Sequence, residues 1–250
     1  MTRGRWNQIW RIFFLQSSRN ERTLDGLGFF HVVAPLVATW GRSAAERAAA
    51  AKRHAGYFNA NPIVASYVAG VVANLEARRA RGEDVTPERV ERVKSALSSV
   101  LTARGDSFFE NVLVPLGLTI ASISAINSSY IGLAIFLVLY NAYHFQYRIG
   151  GYLRGVELGE GIGGDTVARL FREERFLDGC ASFASGVFAA LVLAGARGAG
   201  GMHFAIAGAA LAALVIVLRR RVSFTRSVVV LFCGTALYLV ARAYVARAMR

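Results

Sequence analysis

Two carboxylates, Asp106 and Glu110, stand four residues apart at the edge of a long uncharged run, with Ser107 beside the first. That spacing puts both acids on one face of a helix. A carboxylate bordering an apolar run is costly unless it is paired or faces water, and it accepts hydrogen bonds from hydroxyl groups. Two readings are open: Asp106 belongs to a ligand site, or it caps the following helix while Glu110 pairs with Arg104. Asn59 and Asn61 precede and flank the start of another apolar stretch at Pro62, where either amide could cap a helix. His54 follows Lys52 and Arg53 and reads as a solvated or interfacial histidine. His31, His144 and His203 are scattered without metal-ligand spacing. Cys180 and Cys233 lie in apolar runs without a C-x-x-C pair and read as small buried hydrophobes. The glycines at 159, 161, 163 and 164 lack the preceding strand of a nucleotide loop, and no nucleophile elbow, zinc-protease or Walker pattern occurs. No catalytic residue, metal or cofactor is therefore expected.

The elements that must position these residues are apolar. Hydrophobic residues make up 54% of the 250 and charged residues only 18%, with mean hydropathy +0.40. An ordinary soluble domain carries about 25% charged residues. Such a composition excludes a disordered chain and argues against a soluble enzyme. The net charge of +13 lies between apolar runs, which favours a membrane over nucleic acid.

The expectation is an all-α membrane protein. Residues 1–28 form an amphipathic interfacial segment, with Trp6, Ile9, Trp10, Phe13 and Phe14 on one helical face among arginines. Residues 29–110 form a re-entrant or amphipathic helical region with a cytoplasmic loop. Its apolar stretches 29–40 and 62–75 reach only about 18–21 Å as helices, against a hydrocarbon core of about 30 Å. They read as re-entrant, interfacial or buried core helices. Ser43-x-x-Glu46 forms a capping box, and Thr86-Pro87 an N-cap followed by a first-turn proline.

Residues 111–250 are a transmembrane helical region. Asn111 to Gln146 contains no charged residue and breaks at Asn127–Ser129 into arms of roughly 112–126 and 130–146. Apolar segments follow near 179–196, 202–218 and 227–241. Arg219, Arg220, Arg221 and Arg226, with no acid between them, place that loop in the cytoplasm; Arg242, Arg247 and Arg250 break the alternation. Short, glycine-rich segments need protein around their backbone ends, as in transporters, so a membrane partner is expected.

Four stretches in order resemble the IID component of the mannose/fructose/sorbose class of the bacterial phosphotransferase system. Leu15-Gln16-Ser17-Ser18-Arg19-Asn20-Glu21-Arg22, followed by Gly26-Leu27-Gly28-Phe29, is similar to Q-x-S-x-N-x-E-R-x-x-x-x-G-F/Y. Lys52-Arg53-His54-Ala55-Gly56-Tyr57-Phe58-Asn59-Ala60-Asn61-Pro62 is similar to R-H-x-x-F/Y-F-N-T-x-P. Lys94 through Gly105-Asp106-Ser107-Phe108-Phe109 resembles K-x-x-L-M-G-P-L-A-G-I-G-D-S-L/I-F. Arg148-Ile149-Gly150-Gly151-Tyr152-Leu153-Arg154-Gly155 resembles G-Y-x-x-G.

The resemblance implies a multi-pass subunit of the cell inner membrane, with broken and amphipathic helices near a substrate path. It would form a hetero-oligomer with a IIC partner in the lipid bilayer and translocate a hexose-like sugar. Soluble IIA and IIB proteins would supply the phosphate, so this chain would carry no phosphorylated residue, and no nucleic acid is involved. The resemblance makes Asn59, Asn61, Asp106, Ser107 and Glu110 candidate sugar contacts. The sequence also departs from the family: L-M-G-P-L-A-G-I becomes Leu97-Ser98-Ser99-Val100-Leu101-Thr102-Ala103-Arg104, without the proline and two glycines. The alternative is a degenerate member that no longer transports and serves in sugar sensing or as a scaffold.

Overall fold

Local chemistry sets several helix boundaries in the computed structural model, which describes residues 3–40, 43–126 and 128–195. Ser43 Oγ accepts from the Glu46 amide at 3.1 Å and Glu46 Oε2 accepts from the Ser43 amide at 2.9 Å, closing the expected capping box at the start of α3. Thr86 Oγ1 accepts from the Arg89 amide at 3.2 Å, and Pro87 opens α5, where its missing N–H costs nothing.

In chain order the helices are α1 (Arg3–Ile12), α2 (Gly26–Trp40), α3 (Ala44–Ala55), α4 (Ala65–Ala80), α5 (Pro87–Phe108), α6 (Val114–Ile126), α7 (Ile131–Phe145), α8 (Gly151–Leu158), α9 (Gly164–Leu170) and α10 (Glu174–Gly195). Wider π turns, Phe109–Leu113 and Gln146–Gly150, join α5 to α6 and α7 to α8. The described residues are thus all-helical, as expected. The fold divides into two compact units, Met1–Asp106 with Asn141–Arg172, and Ser107–Tyr140 with Glu173–Arg250.

The first unit is built around α4. Ala65 through Ala73, Leu75 and Glu76 are all buried. The α8 helix lies directly on it because both helices present glycine at the contact. A Cβ on Gly70 would stand 2.3 Å from the Tyr152 carbonyl oxygen, and one on Gly155 2.4 Å from that of Tyr67. The Gly-Tyr-x-x-Gly stretch is therefore a backbone-to-backbone helix contact, the use that small residues find in membrane helices.

The α1 helix turns a face next to the aromatic stripe onto the rest of the unit and leaves three of the stripe's rings uncovered by protein. Gln8, Ile9, Ile12 and Leu15 are buried, whereas Trp6, Trp10 and Phe14 are exposed. Polar anchors cause this: the Tyr152 hydroxyl donates to Gln8 Oε1, and Arg148 Nη1 donates to the Ile12 carbonyl at 3.0 Å. That guanidinium, stacked 5.2 Å from the Phe13 ring centre, satisfies a carbonyl at the negative end of α1.

In the second unit, α6 and α7 make a hairpin whose turn falls where expected, between Ile126 and Ile131. Ser124 Oγ accepts from the Gly132 amide at 2.8 Å, and Gly117 lies beneath the Phe136 ring. Leu116 of α6 packs with Ala181 and Ala184 of α10. The apolar arm expected at roughly 112–126 continues the helix before it without a break. Residues from Pro87 to Ala125 form one continuous helical run of 39 residues, the one among the described residues long and apolar enough to cross a membrane. Pro115 cannot donate to the turn behind it and its ring crowds that turn; the π turn at Phe109–Leu113 widens the helix there instead of ending it. The expected segments 202–218 and 227–241 and the Arg219–Arg226 loop lie outside the described residues.

Candidate functional site

Residues 57–61 run without helical structure between α3 and α4, and this sets the first part of the site. Phe58 is held by the Asn20–Asp25 turn: its carbonyl accepts from the Asp25 amide at 2.8 Å and its amide donates to the Thr23 carbonyl at 3.2 Å. That turn is closed by Asn20, whose Oδ1 accepts from the amides of Arg22 and Thr23 at 3.0 and 2.9 Å. The segment so fixed delivers Asn61 onto α5.

Asn61 is 4% exposed and fully engaged. Its Oδ1 accepts from the Ile63 amide at 3.0 Å, its backbone amide donates to Thr102 Oγ1 at 3.1 Å, and its Nδ2 donates to Asp106 Oδ1 at 2.8 Å. The side chain that begins the α4 turn therefore also anchors a carboxylate 45 positions away. Gly105 makes this approach possible, since a Cβ there would meet Val64 Cγ2 at 2.9 Å and Asn61 Cγ at 3.1 Å. Asp106 is half-buried and presents its second oxygen without a hydrogen bond among the described residues. This is a preoriented acceptor, able to accept a hydrogen bond from a hydroxyl of a polar ligand.

The other candidates are not gathered here. Asn59 is exposed. Ser107 belongs to the second unit, where its hydroxyl donates to Glu174 Oε1 at 2.5 Å. Glu110, also in that unit, is exposed within the π turn, so the α-helical i, i+4 face expected for the two acids does not run through it. Nor does Asp106 cap a following helix, since α5 continues through it. Arg104 stacks 5.6 Å from the Phe171 ring centre.

A second polar cluster in the first unit went unread in the sequence and corrects the solvated reading of His54. That imidazole is fully buried, with Nε2 3.0 Å from Glu76 Oε1, which also accepts from Arg53 Nη2. The carboxylate can only accept, so Nε2 carries the proton. Nearby, Lys94 is 1% exposed, its ammonium 5.1 and 5.6 Å from the Phe29 and Phe58 ring centres. The lone acid Glu76 after the apolar stretch 62–75, and Lys94 in the third resembling stretch, were the available signals.

Burial holds the His54 imidazole below its ordinary pKa; the Glu76 hydrogen bond and charge oppose this, and Lys94 and Arg53 reinforce it. The sign follows. Above about pH 6.5 His54 is neutral both folded and unfolded, and its contribution is intact. As pH falls below that value the unfolded chain takes up the proton first, so stability drops. The thermal midpoint in detergent should therefore fall between pH 7 and 5.5, and His54→Gln should flatten that slope. His31, lowered by burial and by Arg11, keeps some slope in the variant. Identical slopes for both proteins would contradict the buried neutral imidazole.

A family model described as "PTS system mannose/fructose/sorbose family IID component" matches residues 2–195. The chain is 28% identical to the mannose-specific EIID component of Escherichia coli K12 over 160 residues, 62% of this chain and 56% of that protein. It is 27% identical to the sorbose-specific EIID component of Klebsiella pneumoniae over 159 residues, 62% of this chain and 58% of the other. The chain thus spans under two thirds of the length of these curated relatives. Among solved structures, one described as a membrane protein matches with a TM-score of 0.66 at 24% identity, covering 74% of this chain and 70% of the other. The mannose transporter ManYZ in complex with microcin E492 matches with a TM-score of 0.59 at 22% identity, covering 96% and 97%. These two likenesses concern the fold.

Proposed function

We propose, since this chain belongs to the mannose/fructose/sorbose family of phosphotransferase-system IID components, that it is the membrane subunit of a sugar permease. With a IIC partner it forms the unit that translocates a hexose-like sugar, phosphorylated by IIA and IIB proteins. The chain itself is non-catalytic. It resides in the inner membrane as a multi-pass protein: residues 1–28 lie at the interface, 29–110 supply re-entrant or amphipathic helices with a cytoplasmic loop, and 111–250 supply the spanning helices.

The observation that carries this reading is the Asn61–Asp106 hydrogen bond. It joins two of the family-like stretches and leaves the second carboxylate oxygen without a hydrogen bond among the described residues. In this reading Asp106 contacts the sugar and Asn61 positions it.

Co-expression with the IIC, IIB and IIA proteins of the same system tests it. Wild type should restore uptake of the sugar. Asp106→Asn keeps an oxygen for Asn61 but removes the charge, and should weaken apparent sugar affinity by about ten- to a hundredfold, the worth of one charge-assisted hydrogen bond. Protein level and co-purification with IIC should be unchanged. Normal uptake by the variant would remove Asp106 from the site.

One feature favours the non-transporting alternative. Where the family-like stretch has proline and extra glycines, α5 is unbroken, with Ser98 and Ser99 hydroxyls donating to the Ser95 carbonyl at 3.0 and 3.1 Å. Absence of uptake by a stably assembled wild-type complex would establish that reading instead.

A further inference from the structure

Between α6 and α10 the second unit carries an open groove of about 580 Å³, lined by Leu116 and Ile120 on one side and by Phe176, Cys180 and Phe183 on the other. Its floor includes Gly179, where nothing lies within 4 Å of the position a Cβ would take. Phe176 and Phe183 flank it at 74% and 76% exposure. At one end stands Arg175, which is exposed and has no ion pair or hydrogen bond among the described residues. The neighbouring acid Glu174 already accepts the Ser107 hydroxyl.

An apolar trough ending in an unneutralised guanidinium matches an amphiphile with an anionic head. The α10 stripe from Arg175 to Ala184 is about 14 Å long, enough for much of an acyl chain. We propose that this groove seats one acyl chain of an anionic phospholipid, with its net negative headgroup at Arg175. The assignment rests on the membrane reading above. The chain part gives little selectivity, because lipid tails are as apolar as the groove itself. Preference must come from the net charge of the headgroup, since the phosphate that a guanidinium grips with two parallel N–H donors is common to anionic and zwitterionic phospholipids.

Cys180 supplies the probe. In the full-length chain with Cys233→Ser, Cys180 is the single thiol. Its rate of reaction with a maleimide is measured in detergent micelles containing phosphatidylglycerol, phosphatidylcholine or inorganic phosphate. Phosphatidylglycerol should protect Cys180 at about fivefold lower mole fraction than phosphatidylcholine, the preference one basic side chain gives at an anionic surface. Inorganic phosphate should not protect. Arg175→Gln should erase the difference between the lipids, and Gly179→Leu should fill the groove and slow the reaction without lipid. Equal protection by the two lipids would make the groove a generic apolar seam and overturn the proposal, as would no protection by either. Recovery of the chain in the soluble fraction of cells would overturn both this assignment and the membrane reading. A membrane-bound chain without lipid preference overturns the assignment alone.

Discussion

Gly155→Ala, a single added methyl, is expected to cost about 3 kcal/mol or more, at or beyond the upper end of ordinary overpacking. The new Cβ would fall 2.4 Å from the Tyr67 carbonyl oxygen, 2.9 Å from Gly70 Cα and 3.0 Å from the Val71 amide nitrogen. All three are backbone atoms of α4, so no rotamer change relieves the clash and the two helices must part. Against a typical stability of about 5–15 kcal/mol this is a large fraction. The thermal midpoint should drop by about 6–12 °C. Gly150→Ala is the matched control. Gly150 lies five residues upstream, is helical, and has nothing within 4 Å of its would-be Cβ. There alanine should be neutral or stabilise by about 0.5–1 kcal/mol. Equal midpoints for the two variants would mean that α4 and α8 do not approach so closely.

The second large effect is expected at Glu76. Its carboxylate receives Arg53 and His54, and Arg79 lies at 3.7 Å. Burial pushes its pKa up, but the hydrogen bonds from His54 and Arg53 and the Arg53 charge outweigh this and hold it below the usual carboxylate range. Glu76→Ala strands the nearly buried Arg53 guanidinium beside a buried imidazole. Removing one partner of a buried pair costs about 3–5 kcal/mol, mostly through the charge left behind. Glu76→Gln retains an acceptor and should cost less, and His54→Gln less again at pH 7, where no charge is stranded. Midpoints measured side by side check the order. If Glu76→Ala proved no worse than His54→Gln, the cluster would be more hydrated than its burial indicates.

Features decided within a few residues were legible in the sequence. The Ser43/Glu46 box, the Thr86-Pro87 start and the turn after Ile126 each depend on neighbours in the chain, so residue type and spacing sufficed. The buried face of α1 was not legible, because it is fixed by bonds from Arg148 and Tyr152, far along the chain. His54 was misread for the same reason: Lys52 and Arg53 suggest water, while the partner that allows burial is Glu76, on another helix. At the candidate site the sequence singled out both Asn61 and Asp106. Their direct bond, and the part played by Thr102, required the fold of α5 onto the segment before α4. The continuous run through Pro115 was not legible because a charged stretch and an uncharged one meet within it, and a π turn has no marker in residue type.

The bond from Arg148 to the Ile12 carbonyl also sets a timetable. The two residues are 136 positions apart, and Gln8 and Tyr152 are 144 apart. At about 5–20 residues per second, the ribosome needs roughly 7–27 s to add the residues between Ile12 and Arg148. For that interval α1 exists without its C-terminal cap or its buried hydroxyl partner, and a ten-residue helix is marginal on its own. Its contacts with α2, including the Arg11 bond to the His31 carbonyl at 3.1 Å, can close early, whereas the two polar anchors of its buried face must wait for the chain to reach Tyr152.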